Sequence, residues 1–145
     1  MILLEHASAG EAILLFGGRI TGRRSSGDFY AMRLGKRMFL TGSSDLDNYV
    51  NHSCTPTCRV DFDKLSLVAL RDLSPGVELT YNYCTSEYDI DPPYRFRCKC
   101  ASPNCMGTVK GFRHLDAPAK ERLLHISSSY IRMRHLHDRG SRESG

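Results

Sequence analysis

Three short stretches of the chain carry the side chains that could do chemistry. The first is Asn51-His52-Ser53-Cys54, and the second is Glu78-Leu79-Thr80-Tyr81-Asn82-Tyr83. The third is the run Cys98-x-Cys100-x4-Cys105. The first two supply amide, imidazole and phenol groups that could line one pocket. The third supplies thiolates, which are soft ligands for a metal ion.

The cysteine run predicts a structural zinc site. Zinc in such sites takes four ligands in a tetrahedron, often all thiolates, and the run provides three of them. The fourth ligand could be Cys54, Cys58, Cys84 or a histidine. The alternative is that these are buried cysteines without a metal, which are common in protein cores. A catalytic zinc is not expected, because four thiolates leave no open position for water.

Size and composition indicate one compact globular domain. The 145 residues suit a single domain, and the hydrophobic fraction of 41% and the charged fraction of 25% are ordinary. The apolar run at residues 12–16 is far shorter than the roughly 20 residues that a membrane span needs. No membrane partner is therefore expected. An intracellular location is the default, without a choice between cytoplasm and nucleus.

The net charge of +4 does not by itself indicate a nucleic-acid partner. Acidic and basic residues are mixed along most of the chain, which is typical of an ordinary solvated surface. The exception is the C-terminal stretch that contains Arg132, Arg134, Arg139 and Arg142. A zinc-containing nucleic-acid binder that uses this stretch is one hypothesis, and the mixed charges elsewhere disfavour it.

Short strands separated by turn residues dominate the middle of the chain. Strands are predicted at residues 12–16, 29–34, 37–40, 59–62, 65–70 and 78–81, with hairpin turns at Gly35-Lys36 and Asp63-Lys64. Asp116 is a candidate N-cap for a helix that begins near Pro118. Residues 137–145 are predicted to form a disordered tail. The expected fold class is therefore mainly β with a C-terminal helix.

Taken together, the three stretches resemble SET-domain protein-lysine methyltransferases that carry a post-SET zinc motif. The resemblance covers roughly residues 10–112, including a Gly-Glu turn and an early strand at residues 10–19. It implies a SET-domain-like fold of short β-sheets with a knot-like crossing. It also divides the chain into a SET domain at residues 1–97, a post-SET zinc segment at 98–114, and a C-terminal helix and tail at 115–145.

The resemblance assigns a cofactor and the residues around the reacting atoms. S-adenosylmethionine would be bound by Asn51, His52, Tyr83 and Phe96. Tyr83 is the expected active-site tyrosine. Tyr81 falls at the catalytic-site position that influences how many methyl groups are added.

The substrate channel and the metal site follow from the same resemblance. Tyr30 and Tyr81 would line the channel for the substrate lysine. Cys54 would complete a structural Zn²⁺ site, one per chain, with Cys98, Cys100 and Cys105.

The implied function is S-adenosylmethionine-dependent methylation of a lysine in a protein or peptide substrate. The family has either Phe or Tyr at the position of Tyr81, and a hydroxyl there leaves less room for a methylated lysine. Mono- or dimethylation is therefore predicted. The family's glycine-rich strand before the Gly-Glu turn has no counterpart in residues 1–9. The alternative is thus a non-catalytic SET-like module that binds a peptide and lacks a complete cofactor pocket.

Overall fold

The computed structural model describes residues 1–24, 31–41 and 46–143. Within these residues, ten short strands joined by turns and loops lie between Ala12 and Val109, and two α-helices follow them. The strands are β1 (Ala12–Leu15), β2 (Arg19–Thr21), β3 (Met32–Gly35), β4 (Met38–Thr41), β5 (Asn51–His52), β6 (Cys58–Asp61), β7 (Ser66–Ala69), β8 (Thr80–Tyr81), β9 (Phe96–Arg97) and β10 (Thr108–Val109). The helices are α1 (Ala117–Leu124) and α2 (Ser129–Glu143). The mainly β fold class is confirmed.

The described strands form four small sheets. Two are antiparallel and three-stranded, with the orders β1-β7-β6 and β2-β4-β3. The other two are pairs: β5 runs parallel to β8, and β9 runs antiparallel to β10. The parallel pair matters most for the site, because it places residues that are far apart in sequence side by side.

Both predicted hairpins are confirmed. β3 and β4 pair across the turn that follows Gly35, and β6 and β7 pair across the turn at Asp63-Lys64. In the second turn, the Asp61 carboxylate accepts hydrogen bonds from the backbone N–H groups of Asp63 and Lys64, both at 3.1 Å. Such local side-chain bonds are the reason why Asp favours turns. The first part of the strand predicted at residues 29–34 lies outside the described residues.

Two apolar clusters form the interior. The larger lies among the β-sheets and includes the completely buried side chains of Leu67, Val60 and Leu73. The second packs the C-terminal segment against the chain that follows β8, and Phe112 and Ile131 are its completely buried members. The second cluster ties the cysteine-rich segment and both helices to the sheets.

The C-terminal region differs from the prediction of one helix and a disordered tail. The N-cap is confirmed, since the Asp116 carboxylate accepts a hydrogen bond from the N–H of Ala119 at 2.8 Å. A second helix, however, extends to Glu143. It is fixed by the burial of Ile131 and by a 2.6 Å hydrogen bond from the hydroxyl of Tyr88 to Asp138. These are tertiary contacts, which sequence periodicity does not show. Among the described helices, neither has the length and apolar character needed to cross a membrane.

Candidate active site and metal centre

The parallel pairing of β5 with β8 brings the first two motifs together. Asn51 lies opposite Thr80, and His52 lies opposite Tyr81. The pairing continues for one more residue, because the N–H of Ser53 donates to the carbonyl of Tyr81 at 3.1 Å. Two sequence stretches that begin 27 residues apart therefore share one strand pair.

Thr57 holds the loop after β5 against the strand that ends in β8. Its hydroxyl donates to the carbonyl of Glu78 at 2.9 Å and accepts from the N–H of Thr80 at 3.0 Å. Both donor and acceptor capacities of the hydroxyl are therefore used for backbone positioning. The consequence is a fixed register between the loop and the second motif.

Tyr83 is oriented by a short turn at the end of β8. The residues Tyr83–Thr85 form a 3₁₀ turn, and the side chain of Asn82 caps it by accepting from the N–H of Cys84 at 3.0 Å. The Tyr83 hydroxyl donates to the carbonyl of Val50 at 2.8 Å. Since the phenolic proton is used for this bond, the oxygen can act as an acceptor toward a group placed beside it.

Aromatic rings cluster around Tyr83. The ring centroids of Tyr81 and Tyr83 are 4.8 Å apart, and those of His52 and Tyr83 are 5.3 Å apart. Phe96 packs edge-on against both Tyr83 and His52 at 5.9 Å. Such pairs favour defined ring orientations. Four of the predicted site residues are thereby brought into one cluster.

A cavity of about 410 Å³ lies beside this cluster. Its wall includes Tyr81, Tyr83 and Phe96 together with apolar side chains in or directly next to strands β1, β3, β4 and β5. These apolar side chains are Phe16, Ala31, Met32, Leu40 and Val50. The volume falls within the range of roughly 300–1,000 Å³ that is typical of ligand pockets. The apolar and aromatic part of this wall disfavours charged groups that enter it without a partner.

The cavity wall also carries an ion pair that the sequence motifs did not indicate. Arg24 Nη2 lies 2.6 Å from Glu87 Oε1, and Arg33 Nε lies 3.5 Å from Glu87 Oε2. Burial raises the pKa of Glu87, although both arginines act in the opposite direction. Local sequence patterns contain no signal for this ion pair, because Arg24 and Glu87 are 63 residues apart. The N–H of Glu87 donates to the Tyr83 carbonyl at 3.0 Å, which fixes Glu87 relative to Tyr83.

Asn51 lies at the surface, and neither Asn51 nor His52 is among the residues that line this cavity. The Asn51 side chain is exposed, and Nδ2 donates to Glu78 Oε1 at 2.8 Å. Phe96 is also partly exposed, at 37%. β5 has β8 as its only strand neighbour among the described residues, so its other edge keeps backbone groups available for hydrogen bonding.

His52 is held on both sides of its ring. Nδ1 accepts from the N–H of Tyr83 at 3.1 Å, and Nε2 lies 3.5 Å from the sulfur of Cys54. Burial lowers the pKa of His52 to about 4, so the ring is neutral at pH 7. Both ring nitrogens therefore face protein atoms, and main-chain groups of His52 remain for contact with a ligand.

Four cysteine sulfurs form a cluster next to His52. The Sγ atoms of Cys54, Cys98, Cys100 and Cys105 all lie within 4.8 Å of one another. Cys54 and Cys98 are 3.7 Å apart. Four thiolates at the usual Zn–S distance of about 2.3 Å form a tetrahedron with edges of about 3.8 Å. The geometry thus fits a structural zinc ion.

The charges that four thiolates would carry also favour a bound cation. Burial raises the pKa of Cys54, and hydrogen bonding with Cys100 and Cys98 raises it further. Deprotonation of all four thiols requires a compensating cation, because four neighbouring thiolates repel one another. The N–H of Met106 lies 3.4 Å from the Cys54 sulfur and supplies an additional donor. A bound zinc ion would satisfy this demand.

The other two cysteines do not join this cluster. Cys58 is completely buried in β6, and its sulfur lies 3.7 Å from the hydroxyl of Thr57. Cys84 is also completely buried, and burial raises its pKa to about 12. The candidate fourth ligand is therefore Cys54, and these two behave as small core residues. Tyr30, predicted to line the substrate channel, lies outside the described residues.

Comparisons with known proteins agree with this geometry. The family model described as the SET domain matches residues 5–84. The "Histone-lysine N-methyltransferase, H3 lysine-36 specific" of Aspergillus oryzae is 40% identical over 100 residues, which are 63% of this chain and 10% of that protein. "Methyltransferase flvH" of Aspergillus flavus is 38% identical over 76 residues, which are 51% of this chain and 42% of that protein. The chain thus spans less than half the length of each relative.

Solved structures support the same fold. The KRYPTONITE structure in complex with mCHG DNA and SAH matches with a TM-score of 0.59 and 24% identity, over 74% of this chain and 26% of that one. The methyltransferase domain of human Histone-lysine N-methyltransferase SETMAR matches with a TM-score of 0.57 and 19% identity, over 74% and 52%. At these identities the likeness concerns the fold.

Proposed function

The chain belongs to the SET-domain family, and on that premise we propose that it transfers a methyl group from S-adenosylmethionine to a lysine of a protein or peptide substrate. One observation carries the proposal: the rings of His52, Tyr81, Tyr83 and Phe96 converge beside a 410 Å³ cavity. Several relatives are named histone-lysine N-methyltransferases, and these names support the same reaction.

The cavity walls would prepare the substrate lysine. A lysine side chain has a reference pKa of about 10.4, so forming the neutral amine near pH 7 costs about 4–5 kcal/mol. The aromatic and apolar lining around Tyr81 and Tyr83 lowers that cost, because desolvation disfavours the ammonium form. No strong base is then needed, since water can take the released proton.

Tyr83 would align the reacting atoms. Its hydroxyl is fixed by the 2.8 Å bond to Val50, and its backbone N–H is fixed by His52 Nδ1. The phenolic oxygen can accept weak C–H···O contacts from a methyl group placed against it. S-adenosylmethionine, when bound, supplies a methyl group on a positively charged sulfur. Alignment by fixed groups accounts for a large part of the catalysis expected in such a transfer.

The exposed edge of β5 fits the cofactor. Backbone groups of Asn51 and His52 lie there, and the Asn51 amide is exposed. The partly exposed ring of Phe96 lies 5.9 Å from the His52 ring and offers a stacking surface for a flat heterocycle. Asn51, His52, Tyr83 and Phe96 would therefore bind S-adenosylmethionine, with Zn²⁺ as a structural ion held by the four cysteines.

The substrate is proposed from the relatives. Because several of them are named for lysine 36 of histone H3, a peptide around that lysine is the first substrate to test. A histone substrate would imply a nuclear location, whereas a non-histone substrate would leave the cytoplasm equally open.

Calorimetric titration of S-adenosylmethionine into zinc-loaded protein tests the cofactor. We expect saturable one-to-one binding that Asn51→Ala weakens. Mass spectrometry of an H3 peptide then tests transfer, with Tyr83→Phe as the variant that retains the ring but loses the hydroxyl. Cofactor binding without transfer to any lysine peptide would refute the enzyme proposal. Peptide binding without cofactor binding would instead support a non-catalytic module.

The methylation state depends on Tyr81. Its ring contacts Tyr83 at 4.8 Å in the cavity wall, so its hydroxyl limits the space for a methylated amine. We propose mono- or dimethylation, and Tyr81→Phe should shift products toward higher methylation states. An unchanged product distribution in Tyr81→Phe would show that this hydroxyl does not limit the channel.

A further inference from the structure

The imidazole of His52 lies between the proposed catalytic tyrosine and the cysteine cluster. Nδ1 is 3.1 Å from the backbone nitrogen of Tyr83, and Nε2 is 3.5 Å from the sulfur of Cys54. Two edge-on ring contacts, to Tyr83 at 5.3 Å and to Phe96 at 5.9 Å, restrict its rotation. The ring is therefore in contact with both centres at the same time.

The hydrogen-bond partners determine which nitrogen carries the proton. The backbone N–H of Tyr83 can only donate, so Nδ1 of His52 must be the acceptor and carries no hydrogen. The hydrogen of the ring is then on Nε2, which faces Cys54. The direction of the second bond follows: Nε2–H donates to the sulfur.

This donor is directed at a sulfur that would be a metal ligand. Donors to a metal-bound thiolate stabilise its negative charge and orient it, and their loss commonly weakens metal binding 10–100-fold. The N–H of Met106 approaches the same sulfur at 3.4 Å. Cys54 would thus have one backbone donor and one side-chain donor, and the side-chain donor is the one that also contacts Tyr83.

We infer that His52 is a positioning residue that couples the cysteine-bound metal to Tyr83. A Cys54 sulfur held by the metal would fix the Nε2–H of His52 and so the orientation of the ring. The Nδ1 atom of the fixed ring accepts from the N–H of Tyr83, at the start of the 3₁₀ turn. This turn orients the Tyr83 hydroxyl toward the carbonyl of Val50. The Tyr83 part of this inference rests on the proposed function. In this inference the His52 side chain aligns Tyr83 and Cys54, and only the main chain of His52 contacts the cofactor.

Two substitutions separate the two bonds of the ring. His52→Asn places an acceptor near the position of Nδ1 but is too short to reach Cys54. His52→Gln places a donor near the position of Nε2 but has no acceptor at the Nδ1 position. His6→Asn, at an exposed position, is the matched control.

Zinc release is the first readout, measured by mixing zinc-loaded protein with a chromogenic chelator. We expect His52→Asn to release zinc 10–100-fold faster than the unmodified chain. His52→Gln and His6→Asn should stay close to the unmodified rate. Equal release from the unmodified chain, His52→Asn and His52→Gln would overturn the inference.

Nitrogen-15 NMR of the zinc-loaded, unmodified chain is the second readout and needs no variant to fold. We expect the His52 ring as the neutral Nε2–H tautomer. An Nδ1–H tautomer would overturn the inference. Methyl-transfer kinetics are the third readout. His52→Gln should lower kcat with little change in the KM for peptide. A rise in the KM for peptide as large as the fall in kcat would contradict a role of His52 in aligning Tyr83.

The first two readouts do not depend on catalysis. A chain that shows the expected tautomer and zinc release but no methyl transfer would refute the proposed function and leave the His52–Cys54 link standing. A chain that transfers methyl groups but shows neither would refute the link alone.

Discussion

Gly111 is a position where a single added methyl group should meet backbone atoms at close range. It has a φ of +103° and lies against the chain that follows Tyr83. A Cβ at this position would lie 2.7 Å from the carbonyl oxygen of Tyr88 and 2.9 Å from the Cα of Asp89. Both contacts are with backbone atoms, so a side-chain rotation cannot relieve them.

The contacts around Gly111 set the size of the effect. The segment on either side pairs with the chain after Tyr83 through three backbone hydrogen bonds of 2.9 Å. These bonds run from Ile90 to Lys110, from Phe112 to Glu87, and from Arg113 to Tyr88. We expect Gly111→Ala to lower the free energy of unfolding by about 2–5 kcal/mol, from about 1–3 for the backbone conformation and about 1 for each of one or two lost hydrogen bonds.

Gly76→Ala is the matched control. Gly76 has a similar φ of +87°, but nothing lies within 4 Å of an added Cβ. Its cost should be the conformational part alone, about 1–2 kcal/mol. Urea denaturation of both variants with saturating zinc measures the difference. Equal costs for the two alanine variants, or a Gly111→Ala cost below about 1 kcal/mol, would refute the close approach of the two backbones.

Three further outcomes follow from other contacts. Burial raises the pKa of the Asp89 carboxyl, but hydrogen bonds from His114 and Arg113 outweigh it and the pKa is lowered. The stability that Asp89 contributes is therefore present above the unfolded pKa of about 3.9 and lost as the pH falls through the lower, folded pKa. The stability difference between the unmodified chain and Asp89→Asn should shrink on acidification from pH 7 to pH 2, and a constant difference would contradict this pairing. Removal of zinc by a chelator, or Cys105→Ser, should expose residues 98–107 to proteolysis, because a metal ion held by the four cysteines would be the main support of this loop; unchanged cleavage would count against zinc as its support. Tyr88→Phe removes the 2.6 Å hydrogen bond to α2 and should lower stability by about 1 kcal/mol while raising amide exchange in the second half of that helix; exchange unchanged from the unmodified chain would place the anchor of α2 elsewhere.

Local sequence signals predicted the local structure. The hairpin turn at Asp63-Lys64 follows from the tendency of Asp61 to bond the next backbone N–H groups, and the helix start follows from Asp116 as an N-cap. The spacing of the three clustered cysteines also indicated a metal site. Each of these features depends on side chains only a few residues apart.

The remainder of the site depends on contacts that no local signal contains. Which cysteine completes the cluster could not be decided by spacing, because Cys54 and Cys58 are both distant from Cys98 in sequence. The second helix was missed because its stability comes from Ile131 and Tyr88 rather than from a continuous apolar face. The ion pair between Arg24 and Glu87 spans 63 residues and was likewise beyond local patterns.

The strands that carry the site are too short to hold it by themselves. β5 and β8 have two residues each, and an isolated strand pair of this size is not stable in water. Their alignment must therefore come from side-chain and metal contacts around them: the Thr57 hydroxyl on one side and the His52 ring on the other. His52 also contacts Cys54, and the cluster joins Cys54 to a cysteine 44 residues later. A metal ion bound there would close a loop that begins at the end of the first motif and contains the second. In the proposed mechanism, a metal ion in this position would support catalysis without contacting substrate, since the His52 ring would link the cluster to Tyr83.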